Sequence, residues 1–259
     1  MKRIITVTGP ILPEELGYCQ CHEHLLLRDG YPARSNPALV FDNVENSARE
    51  AESYRLAGGK SLVDAQPVGC GRMPDGLAEI SRRTGISVIA STGFHKMSFY
   101  PEGHWIFTMP EDALFRLFTE EITESMYVHG DRALGGTKCR GRAGLIKTAL
   151  DTEGLTPQYE KLFRASARAS LRTGAVIMIH IERGADALGL FRFLKNLGIR
   201  PERMIFCHLD RACDDLEVHE RLCREGAFLE YDTIGRFQYH SDADELAILQ
   251  RMLAAGFED

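Results

Sequence analysis

Three apolar runs in this chain each end on a group able to bind a metal ion: AVIMIH on His180, RMIFCH on His208 and RAGLIK on Lys147. A fourth segment, CQCHEHLLL (residues 19–27), crowds His22 and His24 beside Cys19 and Cys21. In a strand, side chains alternate between faces, so His22 and His24 are expected on one side and Cys19, Cys21 and Glu23 on the other. That alternation argues against one four-ligand clip. A structural zinc site also prefers ligand pairs spaced by roughly two to four residues with a second pair elsewhere, which CQCHEH lacks. The two cysteines are expected to point outward, beneath the helices, as small apolar residues.

An isolated H-x-H fits hydrogen-bonded core histidines as well as metal ligands, and the other strand ends tip the balance towards ligands. In a parallel α/β barrel the C-terminal strand ends face one mouth, where catalytic groups collect. Four histidines and a lysine would converge there. A lysine in a cationic, desolvated pocket has a depressed pKa, and its neutral amine can add carbon dioxide to give a carbamate, which behaves as a bridging carboxylate. Two divalent ions about 3.5 to 4 Å apart could then activate a water and polarise the bond it attacks.

The elements that must position these groups are legible as an alternation. Seven apolar runs suit buried parallel strands: YCQCHEH, KSLVDA, GISVIAS, RAGLIK, GAVIMIH, RMIFCH and GAFLEYD. Helical periodicity lies between them near 43–57, 74–84, 111–127, 156–172, 184–197 and 214–225, and again at 241–255. One segment shows both boundary signals, with Thr156 as N-cap, Pro157 at the first helical position and Gly174 just past the end. Gly85, Gly174 and Gly226 precede strands, where a helix ends and the chain turns back. Repeated βα units imply a parallel sheet, closed or doubly wound.

No linker or composition shift divides the 259 residues, so a single domain over 1–259 is expected. The longest non-periodic stretch, STGFHKMSFYPEGHWIFTMP, is expected to be a functional loop. Hydrophobic content of 44% with 26% charged residues is ordinary globular composition, and a net charge of −6 gives no reason to expect nucleic acid or an anionic membrane surface. The substrate is expected to be a small molecule. The N-terminus lacks the apolar core of a signal peptide, and no run reaches the roughly 18 apolar residues of a membrane span, so a cytoplasmic location is expected. The seven cysteines are scattered and odd in number, as reduced thiols would be.

At this point the sequence resembles the phosphotriesterase-like branch of the amidohydrolase superfamily, almost end to end. GPILPEELGYCQCHEHLLL resembles that family's opening hairpin and first-strand H-x-H, and STGFHK its third-strand loop. AGLIK resembles the bridging-lysine strand, IHIERG and CHLDR the fifth and sixth strands, and FLEYDTIGR the seventh. The resemblance implies an α/β fold, a (β/α)8 TIM barrel, with a binuclear centre. By position, His22 and His24 would hold one ion with a carboxylated Lys147, while Lys147, His180 and His208 would hold the other. Two divalent metal ions are implied, zinc first, with manganese or cobalt as alternatives.

The family's eighth strand carries an aspartate that binds metal and accepts the proton of the attacking water. Here the sequence reaches Asp259 before that strand, so the barrel is expected to lack its eighth βα unit, through an incomplete chain or an impaired product. A gap of about 9 to 10 Å would then separate the first and seventh strands. No catalytic residue is assigned, and Asp259 is not given the role.

The resemblance implies a hydrolase in which a bridging hydroxide attacks an ester or lactone whose carbonyl the second ion polarises. In YDTIGRFQY, Arg236 and Tyr239 follow the seventh strand on the mouth side, where guanidinium and phenol could grip a phosphate, as in members acting on phosphorylated sugar lactones. Arg211 and Lys96 could add positive charge, and His95 could contact substrate. Asp210 and Asp232 fit either partners that orient ligand histidines or braces of the barrel mouth. The alternatives are a phosphotriester or aryl ester hydrolase, and a non-catalytic barrel remnant serving binding or assembly. A homo-oligomer is left open.

Overall fold

The structure, a computed structural model, describes residues 2–131 and 134–258; Asp259 lies outside the described residues. Its strands are β1 (Ile4–Thr6), β2 (Gly9–Ile11), β3 (Cys19–Glu23), β4 (Ser61–Asp64), β5 (Ser87–Gly93), β6 (Ala143–Leu150), β7 (Ile177–Ile181), β8 (Met204–Cys207) and β9 (Phe228–Glu230). Its helices are α1 (Pro32–Ser35), α2 (Val44–Leu56), α3 (Pro74–Thr84), α4 (Trp105–Thr108), α5 (Glu111–Thr123), α6 (Pro157–Thr173), α7 (Ala187–Asn196), α8 (Leu209–Ala212), α9 (Leu216–Arg224) and α10 (Asp242–Ala254). Strands β3 to β9 form one parallel sheet in strict sequence order, and β1 and β2 form a separate antiparallel hairpin. Each of the seven runs expected as strands falls on one strand of that sheet. The helices form where the periodicity places them, and local signals fix their ends. Thr156 accepts a hydrogen bond from the Tyr159 amide, and Gly174 closes α6 with φ +83°.

Parallel register sets two rungs of inward-facing side chains across four strands. Lys147 pairs with Met178, Met178 with Ile205, and Ile205 with Phe228; above them Ala149 pairs with His180, His180 with Cys207, and Cys207 with Glu230. Paired residues share a face, so Lys147, His180 and Glu230 all point into the barrel. The outer faces, including Leu62, Val88, Ile146, Ile179 and Phe206, pack against helix residues such as Leu77, Phe118, Leu162 and Leu190. A smaller inner cluster of Val63, Ala65, Ile89, Leu145, Met178 and Cys207 fills the floor, joined by Ile4 and Leu16.

The first and last strands of the sheet meet through side chains. His22 Nδ1 lies 3.0 Å from Glu230 Oε1, and Cys21 Sγ lies 3.9 Å from the same oxygen. The expected outward direction of the cysteines is corrected here. Cys19 packs against the inner floor cluster, and Cys21 reaches Glu230 beside His22. The reason is a register shift between Gln20 and Glu23, where three residues of β3 span two of β4. Such a bulge breaks strict alternation and lets Cys21 and His22 address the same interior carboxylate.

Candidate functional site

The histidines converge as the strand ends demand. Ring centroids lie 4.7 Å apart for His22 and His208, 4.7 Å for His180 and His208, and 5.6 Å for His22 and His24. Lys147, fully buried, rises from the lower rung to place Nζ 3.0 Å from His22 Nε2. His208 reaches the cluster through a left-handed backbone, φ +66°, the only positive φ outside glycine among the described residues. A bulky residue adopts that conformation only where its surroundings hold it, and such positions gather at functional sites. Gly93, with φ +101°, passes directly over the Lys147 carbonyl, and a Cβ there would collide with it. Glycine at the end of β5 therefore lets β6 carry its lysine past without displacement.

Each ring is oriented from behind. His24 Nδ1 lies 2.8 Å from Gln66 Oε1, whose amide nitrogen in turn donates to the Cys70 carbonyl and so fixes the amide's direction. His24 Nδ1 therefore donates, and its Nε2 lone pair is free to face the interior. His208 Nδ1 shares a proton with Asp232 Oδ1 at 2.7 Å, and Glu230 holds His22 Nδ1. This is the outer hydrogen bonding that metal-binding imidazoles ordinarily have. His180 differs, its Nε2 lying 3.5 Å from Glu182 Oε2, which Lys96 Nζ also pairs at 2.6 Å.

Burial governs the protonation states. It pushes His22, His24 and His95 well below the ordinary histidine range, with neighbouring Lys147 and His180 adding to the effect. It lowers His180 to about 4 and drives His208 down as well. Lys147 is also lowered by burial, although Glu230 and Asp232 oppose the shift. Asp232 is raised to about 7, again chiefly by burial, with Glu230 adding repulsion. The result is a pocket of neutral imidazoles around a buried amine, backed by carboxyl groups.

A cavity of about 1010 Å³ opens above these rings and is lined also by His95, Lys96, Phe99, Arg211, Arg236 and Tyr239. Stretch 91–110 thus contributes to the cavity wall. His95 stacks on Phe99 at 4.5 Å, and its Nδ1 accepts the Lys96 amide at 2.8 Å, leaving Nε2–H as a donor. The Tyr239 ring is flanked by two guanidinium groups, Arg211 at 4.7 Å and Arg236 at 5.0 Å.

One expectation changes on this geometry, and one pair left open divides. Lys96 brings no free charge, because Glu182 neutralises it. Asp232 does support a histidine of the cluster, whereas Asp210 faces His240 and Glu245 instead. Glu230, Gln66 and Glu182 were not singled out from sequence. The signals existed, since each follows or ends an apolar strand, in FLE, VDAQ and IHIE.

The profile of the Phosphotriesterase family matches residues 2–259. The chain belongs to the phosphotriesterase family. Among the relatives of this family member is a phospho-furanose lactonase of Mycoplasmopsis agalactiae, 27% identical over 246 residues that cover 93% of this chain and 69% of that protein. Among solved structures, a lactonase from Listeria monocytogenes superposes with a TM-score of 0.87 at 29% identity, covering 99% of this chain and 80% of its own. An amidohydrolase from Mycoplasma synoviae gives a TM-score of 0.92 at 27% identity, with coverage of 99% and 74%. The fold is accordingly of the TIM-barrel type, and this phosphotriesterase-family chain is an ester-hydrolysing enzyme. Among the described residues, no helix is long and apolar enough to cross a membrane.

Proposed function

We propose that the protein is a lactonase that uses a binuclear metal centre on a small, phosphorylated sugar lactone. The observation that carries this reading is the convergence of four neutral histidines on the amine of a buried lysine, Nζ to His22 Nε2 at 3.0 Å, at the mouth of the sheet. The donor set fits divalent cations, because the rings are neutral and three are anchored through Nδ1. His22 and His24 would hold one ion together with Lys147, and Lys147, His180 and His208 the other, zinc being the first choice with manganese or cobalt also suited. Lys147 joins as a carbamate: its neutral Nζ forms a bond to the carbon of carbon dioxide and releases one proton. When bound, the two ions supply an acidified water and a Lewis acid for the carbonyl oxygen.

The chain's own residues set up the rest. Glu230, Gln66 and Asp232 fix the directions of three rings, and Glu182 holds His180 until a ligand competes for its Nε2. His95 Nε2–H is placed to donate to a substrate oxygen. Arg211 and Arg236, each close to the ring of Tyr239, offer two cations and a phenol to a phosphate, and a guanidinium suits phosphate oxygens bidentately. A single domain spanning 1–259 belongs to the same proposal.

The function is tested by hydrolysis of a phosphorylated sugar lactone, followed by proton release. The wild type is expected to turn it over, and Lys147→Met to lose activity by on the order of 10³-fold, about 4 kcal/mol of barrier. Equal rates for the two proteins would refute the role given to Lys147.

A further inference from the structure

A second cluster lies behind the Arg211–Tyr239–Arg236 group, and the chemistry above leaves it unused. Asp210 on α8, His240 in the segment after β9 and Glu245 on α10 bring one donor atom each within 4.8 Å of one another. His240 Nε2 lies 3.3 Å from Asp210 Oδ2 and 3.1 Å from Glu245 Oε2. The two carboxylates are sealed from solvent, their side chains 0% and 2% exposed. Asp210 Oδ1 and both Glu245 oxygens nevertheless lack a hydrogen bond. Buried carboxylate oxygens without donors are costly, and native structures give them a partner, a proton or an ion.

The imidazole indicates which of these the cluster suits. His240 Nδ1 lies 3.0 Å from the Ser241 carbonyl oxygen, so Nδ1 carries a hydrogen and donates it. In the neutral ring, the Nε2 lone pair then faces two carboxylates. This tautomer, held by a backbone carbonyl, is the usual state of a metal-binding histidine. A shared proton together with a protonated His240, whose pKa the two carboxylates raise against its burial, would also cancel both negative charges. A divalent cation, however, cancels both, takes the imidazole lone pair and gives the unbonded Asp210 and Glu245 oxygens a partner.

We propose that Asp210, His240 and Glu245 form a site for one divalent cation of the borderline class, zinc or manganese, separate from the histidine–lysine centre. Two carboxylates and one imidazole are a donor set suited to either ion, with water completing the shell. His240, 12% exposed, provides the way in. The three ligands come from three segments, so the cation would clamp the stretch carrying Arg236 and Tyr239 to α8, which carries Arg211, and to α10. It is a structural site that braces a substrate pocket from behind.

The test is zinc content of the full chain, stripped with chelator, reloaded with zinc chloride in bicarbonate and desalted. Wild type is expected to retain about one equivalent more than either Glu245→Gln or His240→Gln, and Lys147→Met is expected to keep that equivalent. Zinc should also raise the melting temperature less in both cluster variants than in wild type. Equal zinc and an equal rise in wild type and His240→Gln would overturn the proposal, and that variant decides alone if Glu245→Gln does not fold. Failure of the histidine–lysine centre would register separately, as no difference between wild type and Lys147→Met.

Discussion

Two buried polar clusters in this molecule show opposite logic. On the outer side of the sheet, Arg72 donates through both terminal nitrogens to Glu121, at 2.8 and 2.5 Å, and also to the carbonyls of Ser91 and Tyr127. Glu121 in turn accepts the Tyr127 amide, and neither side chain is more than 2% exposed. That cluster is closed to solvent, with charge answering charge and Arg72 Nε alone of the guanidinium nitrogens left without a hydrogen bond. At the barrel mouth, His22, His24 and His208 are anchored from behind through Nδ1, and among the described residues the Lys147 amine hydrogen-bonds to His22 alone. The first arrangement holds the α5 region and the loop before α3 to the sheet. The second leaves nitrogen lone pairs facing a cavity, which stabilises nothing by itself and is suited to receive a ligand.

The largest effect should come from opening the closed cluster. Glu121→Gln leaves the Arg72 guanidinium buried without its counter-charge and is expected to cost about 3–5 kcal/mol of stability. Urea unfolding checks this, and a loss below about 1 kcal/mol would mean that water already serves the pair.

A pH titration separates the clusters in another way. In the unfolded chain His22, His24, His180 and His208 take up protons near pH 6.5, whereas the folded site keeps them neutral. Through these four groups the unfolded state binds more protons, and they should make the metal-free protein lose stability as pH falls through 6.5, by up to about 1.4 kcal/mol per pH unit for each histidine. Asp64 and Asp232, whose folded carboxyls titrate at about 7, act with the opposite sign. The share from His180 should stop growing near pH 4, where its folded form also titrates. Melting temperatures that stay flat between pH 7 and about pH 5 would show that these rings are solvated.

The smallest effect tests the rim of the cavity. Arg236→Ala should weaken turnover of a phosphorylated lactone by about tenfold, the worth of a charge-assisted hydrogen bond, and leave the unphosphorylated counterpart within about twofold. An equal loss on both substrates would remove the phosphate from the proposal and leave Arg236 a brace for Tyr239.

The strands and principal helices were legible because their periodicity is long and their caps are chemical. Thr156, Pro157 and Gly174 mark α6 in the sequence as they do in the structure. Helices α1, α4 and α8, of four residues each, are too short to show a period and depend on tertiary packing. Lys147, His180 and His208 stood out in the sequence because an apolar run ending on a nitrogen donor is unusual, and His22 and His24 stood out as an H-x-H. The facing of Cys21 was not, because a bulge arises from the pairing of β3 with β4 and leaves no mark in alternation. Glu230 was hidden for a related reason: its role depends on β9 coming round to β3, a consequence of sheet curvature over seven strands.

The account rests on Lys147 as the shared member of a metal centre, and metal content reports on that most directly. Stripped protein reloaded with zinc and bicarbonate should hold about two equivalents that Lys147→Met does not. Identical zinc content in the two proteins would contradict the account.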